Sequence, residues 1–227
     1  MAFKQISSPH GHNPQSTSWI MQLVLLSTLP GFLALSYQFG WGTFINLIIA
    51  VVTSLIAESA ILALRNRPIT FYLKDYSAAV TAVLLALALP PLAPWWVVVV
   101  GSLFAIVVAK QLYGGIGYNP FNPAMVGYVV LLISFPIEMT SWVTPISLLP
   151  EGVTHPGLWE SLSIVFAGNT PVDGVTGPTP LDLFKHSNGL VVDQIYQNEA
   201  LFSQASFAGV GWEWVNVGFL IGGLILL

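Results

Sequence analysis

Phe44-Ile-Asn-Leu-Ile-Ile-Ala-Val-Val-Thr-Ser-Leu-Ile-Ala-Glu-Ser-Ala-Ile-Leu-Ala-Leu64 carries one ionisable side chain, Glu58, in an otherwise apolar run. At about 1.5 Å per residue, a run of this length crosses the roughly 30 Å of bilayer hydrocarbon as a helix. In lipid each backbone N–H and C=O must be satisfied within the protein, and a helix satisfies them segment by segment. Working outward, Trp19–Phe39 has the same character and joins it through a tight Gly40-Trp41-Gly42-Thr43 turn. Tyr76–Leu89 and Trp95–Tyr113 read as third and fourth spans, Asn122–Phe135 as a short or broken fifth, and Val215–Leu227 as the start of a sixth. One such segment fits the core of a soluble protein; five or six do not. The 227 residues are 55% hydrophobic and only 7% charged, which agrees. The expected fold class is an all-α polytopic integral membrane protein with about six transmembrane helices.

The few charges are sorted by sign. With a cytoplasmic amino terminus, Lys4, Arg65, Arg67, Lys74 and Lys110 all fall on one side, as the positive-inside rule requires. Residues 138–213 hold Lys185 against eight acids: Glu138, Glu151, Glu160, Asp173, Asp182, Asp193, Glu199 and Glu213. The expected organisation is a cytoplasmic tail (1–18), transmembrane helices 1–5 (19–137), an extracytoplasmic segment before the last helix (138–213) and the start of helix 6 (214–227). No basic patch is dense enough to collect phosphates, so nucleic acid is not an expected partner. Without cysteine, the chain offers no disulfide, thiolate ligand or iron–sulfur attachment. The first apolar run follows a polar tail and leads straight into a second, so it reads as a span and not as a cleavable signal. The last run, Gly218–Leu227, ends with no polar anchor. That suggests the front part of a longer protein, the alternative being a last helix that ends at the membrane surface.

Two places interrupt the apolar pattern. In Lys110-Gln-Leu-Tyr-Gly-Gly-Ile-Gly-Tyr-Asn-Pro-Phe-Asn-Pro-Ala-Met125, three glycines allow backbone conformations closed to larger residues, and Asn122 followed by Pro123 is a helix-start signal. Asn119 and Asn122 then sit at a broken helix, which membranes tolerate only where protein or a cavity shields it. The block reads equally as a polar or ion site and as a re-entrant turn without a ligand. Glu58 is costly inside a span unless it is paired, protonated, facing a polar interior or snorkelling toward the nearby surface at Arg65. Asn46 and Thr53 either line a polar face with it or bind helices together. His10, His12, His155 and His186 show no metal-ligand spacing with carboxylates, and no metal is assigned. Trp41, Trp95, Trp96 and Trp214 read as interfacial anchors.

Asn169-Thr-Pro-Val-Asp-Gly-Val-Thr-Gly-Pro-Thr-Pro-Leu-Asp182 reads physically as a rigid loop, with Thr179 capping a helix that begins near Pro180 and Asp182 as its capping-box partner. The same residues carry a resemblance. Asp173-Gly-Val-Thr-Gly-Pro-Thr179, followed by Pro-Leu-Asp, resembles the covalent flavin attachment sequence of the family of Rnf D subunits and their relatives, the B subunits of the sodium-translocating NADH:quinone reductase. Arg65-Asn-Arg-Pro, Pro90-Pro-Leu-Ala-Pro-Trp-Trp and the Lys110–Tyr128 block also look like Rnf D sequence. The resemblance implies FMN joined to Thr179 through a phosphodiester and installed by a flavin transferase, with Asp173 and Thr176 as recognition residues. Pro178 departs from the family pattern, which has Ala before the modified Thr. The resemblance further implies a membrane subunit of an ion-translocating ferredoxin:NAD oxidoreductase in a bacterial inner membrane. Such a subunit would relay electrons, coupled to Na+ or H+ transport, with the Rnf A, B, C, E and G subunits as partners and electron exchange with the G subunit. Its alternatives are a channel or secondary transporter with a broken-helix ion site at Glu58, Asn119 and Asn122, and a structural protein without flavin. Catalytic residues are not expected here.

Overall fold

On the longest helices the buried faces carry polar as well as apolar side chains, and the exposed faces are largely apolar. The computed structural model describes residues 15–169, 174–187 and 189–227. Helices α1 (Thr17–Phe39) and α2 (Gly42–Leu64) are long and apolar enough to cross a membrane. Along α1, Leu26, Leu29, Leu33 and Tyr37 are exposed; along α2, so are Ile48, Val52 and Ile56. That three-to-four-residue spacing lays apolar stripes on the outside of the bundle, while Asn46, Ser54 and Glu58 of α2 are buried within it. Water disfavours such stripes and lipid accommodates them.

After α2 come a short α3 (Ile69–Leu73), α4 (Ser77–Ala88), α5 (Trp95–Leu103), α6 (Pro123–Ser134) and a short α7 (Pro136–Thr140). The last apolar helix is α12 (Trp212–Ile225). The fourth apolar run differs from the plain helix expected: from Phe104 to Gln111, α5 continues as a π-helix. The wider turn persists at its exit, where Leu112 N–H donates to Val107 O and Gly115 N–H to Lys110 O. Asn122 caps α6 as the sequence anticipates, its Oδ1 accepting from Ala124 N–H at 3.0 Å. Gly114, Gly115 and Gly117 have φ of +116°, +106° and +87°, the reason glycine fills these positions.

Side chains at the helix ends sort the bundle into two ends. At one, Asn46 Nδ2 donates to the Pro90 and Pro91 carbonyls at 2.8 and 3.1 Å. Trp96 meets Phe135 there, and Phe39 meets Trp212, at ring separations of 4.9 and 4.8 Å. At the other end Ser77, Lys110 and Glu58 converge. α1 and α12 run unusually close: a Cβ on Gly222 would sit 1.9 Å from Ser27 O, and one on Gly218 would sit 2.8 Å from Pro30 O. Gly218 and Gly222 thus form a small-xxx-small seam of the kind that lets helices pack in lipid.

Within residues 138–213, which the sequence marks as one segment with a rigid loop at 169–182, the described residues form a small ladder and several short helices. Strands β1 (Trp142–Val143) and β2 (Thr176–Gly177) pair antiparallel, with Trp142 opposite Gly177 and Val143 opposite Thr176. Val143 and Val175 join Leu35, Phe39 and Val215 in one buried cluster, which roots this ladder on the ends of α1 and α12. The segment also holds helices α8 (Leu158–Ala167), α9 (Pro180–Lys185), α10 (Val192–Asn198) and α11 (Ala200–Ser203). Phe166 of α8 stacks on Trp95, and Phe184, Tyr196 and Phe202 cluster between α9, α10 and α11. Composition concealed these helices because each is short and few apolar side chains hold it.

Candidate functional site

Thr179 sits between two prolines at the start of α9, in extended geometry with φ −76° and ψ 161°. Pro180 cannot donate a backbone hydrogen bond, which is harmless at the first helical position. Three hydrogen bonds join Thr179 to Asp182. Asp182 N–H donates to Thr179 Oγ1 at 3.2 Å, Thr179 N–H donates to Asp182 Oδ2 at 3.2 Å, and the hydroxyl itself donates to Oδ2 at 2.6 Å. The first two form the capping box expected from sequence. The loop entering this helix is held by the ladder: Thr144 N–H donates to Val175 O at 2.8 Å, and a Cβ on Gly177 would meet Thr144 Oγ1 at 2.6 Å.

A cavity of about 520 Å³ opens beside this turn. Thr176, Gly177, Pro178, Asp182, Lys185 and His186 line one side; the other is the end of α7, from Pro136 to Trp142. Its size falls within the roughly 300–1,000 Å³ of ligand pockets, and it offers an indole, hydroxyls and one ammonium group. Thr176 is exposed on β2, one register step from Gly177. Asp173 lies outside the described residues.

At the opposite end of the bundle, Glu58 is 1% exposed. Its Oε1 accepts from Lys110 Nζ at 2.6 Å and from Gln111 Nε2 at 2.7 Å. Lys110 Nζ also donates to Ser77 Oγ at 2.7 Å, and Ser77 Oγ donates to Asp75 Oδ1 at 2.5 Å. Glu58 is therefore paired and does not snorkel, because the partner cation comes to it inside the bundle. Lys110 is likewise buried and does not belong to a surface rim of basic residues. Asn46 does not join Glu58; it lies about three helical turns away, bound to the Pro90–Pro91 carbonyls. Asn119 and Asn122 line a cavity of about 290 Å³ together with Lys110, Ser77, Thr81 and Met21. The structure thus gathers Asn119 and Asn122 around Lys110, one hydrogen bond from Glu58, and holds all four away from Thr179.

Sequence reasoning missed Lys110, Gln111 and Ser77 as partners of Glu58. The available signal was Glu58 itself, since a carboxylate in an apolar helix calls for a cation, and Lys110 is the one base on a neighbouring long apolar run. The π-helix hid the match: adjacent residues Lys110 and Gln111 both turn toward the same carboxylate oxygen.

The sequence profile of the NQR2, RnfD, RnfE family matches residues 4–227. The chain belongs to that family. Among its relatives, the D subunit of the ion-translocating oxidoreductase complex of Citrobacter koseri is 50% identical over 240 aligned positions, which cover all of this chain and 67% of the relative. Proteins of the same description from Salmonella typhi and Salmonella typhimurium are 49% identical with the same coverage. Pro178 lines the cavity and leaves the Thr179 hydroxyl bound to Asp182.

Proposed function

We propose that this chain is the membrane subunit of an ion-translocating ferredoxin:NAD oxidoreductase complex and carries FMN as an electron relay, joined by a phosphodiester to Thr179. The observation that carries this reading is a threonine in the family's attachment pattern, held rigidly beside a cavity of ligand size. The donor set fits the group. Trp142 offers an aromatic face, Thr140 and Ser141 offer hydroxyls to ring heteroatoms, and Lys185 offers a cation to phosphate or to an electron-rich ring. When bound, the flavin supplies electron transfer; the chain anchors it, shields part of it and sets its electrostatic surroundings. Thr176 and Asp173 serve recognition by a flavin transferase, and no residue here acts on ferredoxin or NAD.

In this reading residues 1–18 are cytoplasmic, 19–137 span the membrane five times, 138–213 face the outer side of the bacterial inner membrane and 214–227 begin a sixth span. Partners are the Rnf A, B, C, E and G subunits, with electrons exchanged with the G subunit. Glu58, Asn119 and Asn122 form a polar site on the cytoplasmic side, in support of coupling to Na+ or H+ movement. A transporter without flavin is the second reading, favoured by the cavity next to Lys110.

Mass spectrometry of the chymotryptic peptide containing Thr179, after co-expression with a flavin transferase, tests the assignment. An FMN adduct is expected, and Thr179→Ala abolishes it while membrane insertion persists. A bare Thr179 peptide, or undiminished adduct in the variant, overturns it. Because the chain has no cysteine, a single cysteine at exposed Trp159 tests sidedness: an impermeant maleimide added outside the cell is expected to label it.

A further inference from the structure

We infer that Asp182 is the general base for flavin attachment at Thr179, so that the acceptor chain brings its own proton acceptor to the modification; this rests on the assignment of Thr179 above. A capping box needs two bonds, hydroxyl oxygen from the N3 amide and N3 side chain from the cap amide. Both are present at 3.2 Å. The third bond is not part of the box. The Thr179 hydroxyl places its own proton on Asp182 Oδ2 at 2.6 Å, the length of charge-assisted O–H···O⁻ bonds. That is the nucleophile–base contact required of an activated hydroxyl.

The geometry around the pair is restrictive. Pro178 and Pro180 fix φ on either side of Thr179, and Asp182 O accepts from His186 N–H and Nδ1, each at 2.9 Å, which holds the short helix in place. Asp182 lines the 520 Å³ cavity, and Lys185, three residues on, lines it too and offers an ammonium group to a pyrophosphate entering there.

The donor required is a flavin nucleotide with a phosphoanhydride, the class of flavin dinucleotides. Thr179 Oγ1 attacks the phosphorus nearer the flavin, and a new P–O bond forms. The anhydride P–O bond breaks, the nucleoside monophosphate leaves with the electron pair, and the Thr179 proton passes to Asp182 Oδ2. No oxidant or reductant is needed. The transfer also neutralises the carboxylate as the negative phosphodiester arrives beside it, so that two anions are not forced together in the bond-forming step.

Capping alone is separable from base catalysis by two substitutions. Asp182→Asn keeps an acceptor oxygen for both Thr179 donors but cannot take the proton. Asp182→Glu keeps a carboxylate and is a favoured capping-box residue. The full chain in detergent is incubated with purified flavin transferase and flavin adenine dinucleotide, and covalent fluorescence is followed after denaturing gel separation. Asp182→Asn is expected to slow labelling roughly 10²-fold, the usual contribution of a general base, and Asp182→Glu to restore most of it. Asn labelling at the unsubstituted rate overturns the proposal. So does equal slowing of the Asn and Glu variants, or slowing of Asn with an earlier thermal unfolding transition, both of which reduce Asp182 to a cap. If the unsubstituted chain takes up no flavin, the Thr179 assignment itself fails; if it is labelled and Asp182→Asn matches it, only the base fails.

Discussion

Replacing Lys110 by Met leaves the Glu58 carboxylate buried with Gln111 as its sole remaining hydrogen-bond partner among the described residues. Glu58 Oε2 already has none, so the bonds to Oε1 from Lys110 and Gln111 carry the compensation for the whole group. At the observed 2.6 Å and an effective dielectric of about 20, the gross attraction is on the order of 6 kcal/mol. Desolvating the two ions costs several kcal/mol each, so the pair is close to neutral relative to an uncharged replacement. Breaking it from one side is different, because the stranded charge keeps its desolvation cost and loses its partner, about 3–5 kcal/mol. Lys110→Met and Glu58→Gln are therefore each expected to lower the unfolding temperature by roughly 6–20 °C for a chain of this size. The double variant removes both charges and is expected to be more stable than either single. Its cycle should show a coupling of several kcal/mol, far above the roughly 0.3–0.5 kcal/mol scatter of independent sites. The assay is thermal unfolding in detergent, read from tryptophan fluorescence. Additive losses in the double variant would refute the buried pair, as would a Lys110→Met chain as stable as the parent.

Gly222→Leu is expected to separate α1 from α12, since even a Cβ there meets Ser27 O at 1.9 Å; cysteine crosslinking between engineered positions on the two helices should fall, and Gly223→Leu, with open space around it, should leave it intact. Asn46→Leu strands the buried Pro91 carbonyl, while Pro90 O keeps Ala93 N–H at 3.0 Å, at a cost of about 1–3 kcal/mol for the unsatisfied group, again read by thermal unfolding. Thr176→Ala is expected to slow covalent flavin labelling mildly, whereas Thr179→Ala abolishes it; in-gel fluorescence after co-expression compares them. Glu58→Gln in the assembled complex is expected to lower ion-coupled turnover, and unchanged Na+- or H+-dependent turnover removes Glu58 from the coupling site.

The sequence disclosed what depends on local rules. The apolar runs located α1, α2, α4, α5, α6 and α12 within a few residues, since a helix satisfies its backbone groups segment by segment. The pairs Asn122–Pro123 and Thr179–Pro180 located two helix starts, and each observed cap uses the side chain expected. What stayed hidden depends on contacts between distant residues. Lys110 read as part of a basic cytoplasmic rim because basic residues at helix ends usually are; it is buried because a π-helical turn brings it against Glu58, fifty-two positions away. Gly218 and Gly222 read only as part of an apolar run, although their small size decides how α1 and α12 meet. The ladder at Trp142–Val143 and Thr176–Gly177 could not be read either, as two-residue strands leave no periodicity.

The two polar centres lie at opposite ends of one bundle and use different parts of it. Thr179 and its cavity stand on a ladder seated over Phe39 and Val215, so their position depends on the ends of α1 and α12. Glu58, Lys110 and Ser77 bind α2, α4 and the π-helix to each other. α1 also packs on α2 and α4, and Met21 of α1 reaches the Lys110 cavity. α1 thus touches both centres, as does α4, whose Ser77 meets Lys110 and whose Leu87 packs under the ladder; the α1–α12 seam is one place where a shift at one end would be felt at the other. Two distant centres communicate where an element has two arrangements that both of them bias. That makes Gly222 a test of communication as well as of packing. A small widening there, by Gly222→Ala, should alter the ion dependence of electron transfer before it alters flavin attachment, because the capping box at Thr179 is local to α9 and the path between the ends is not.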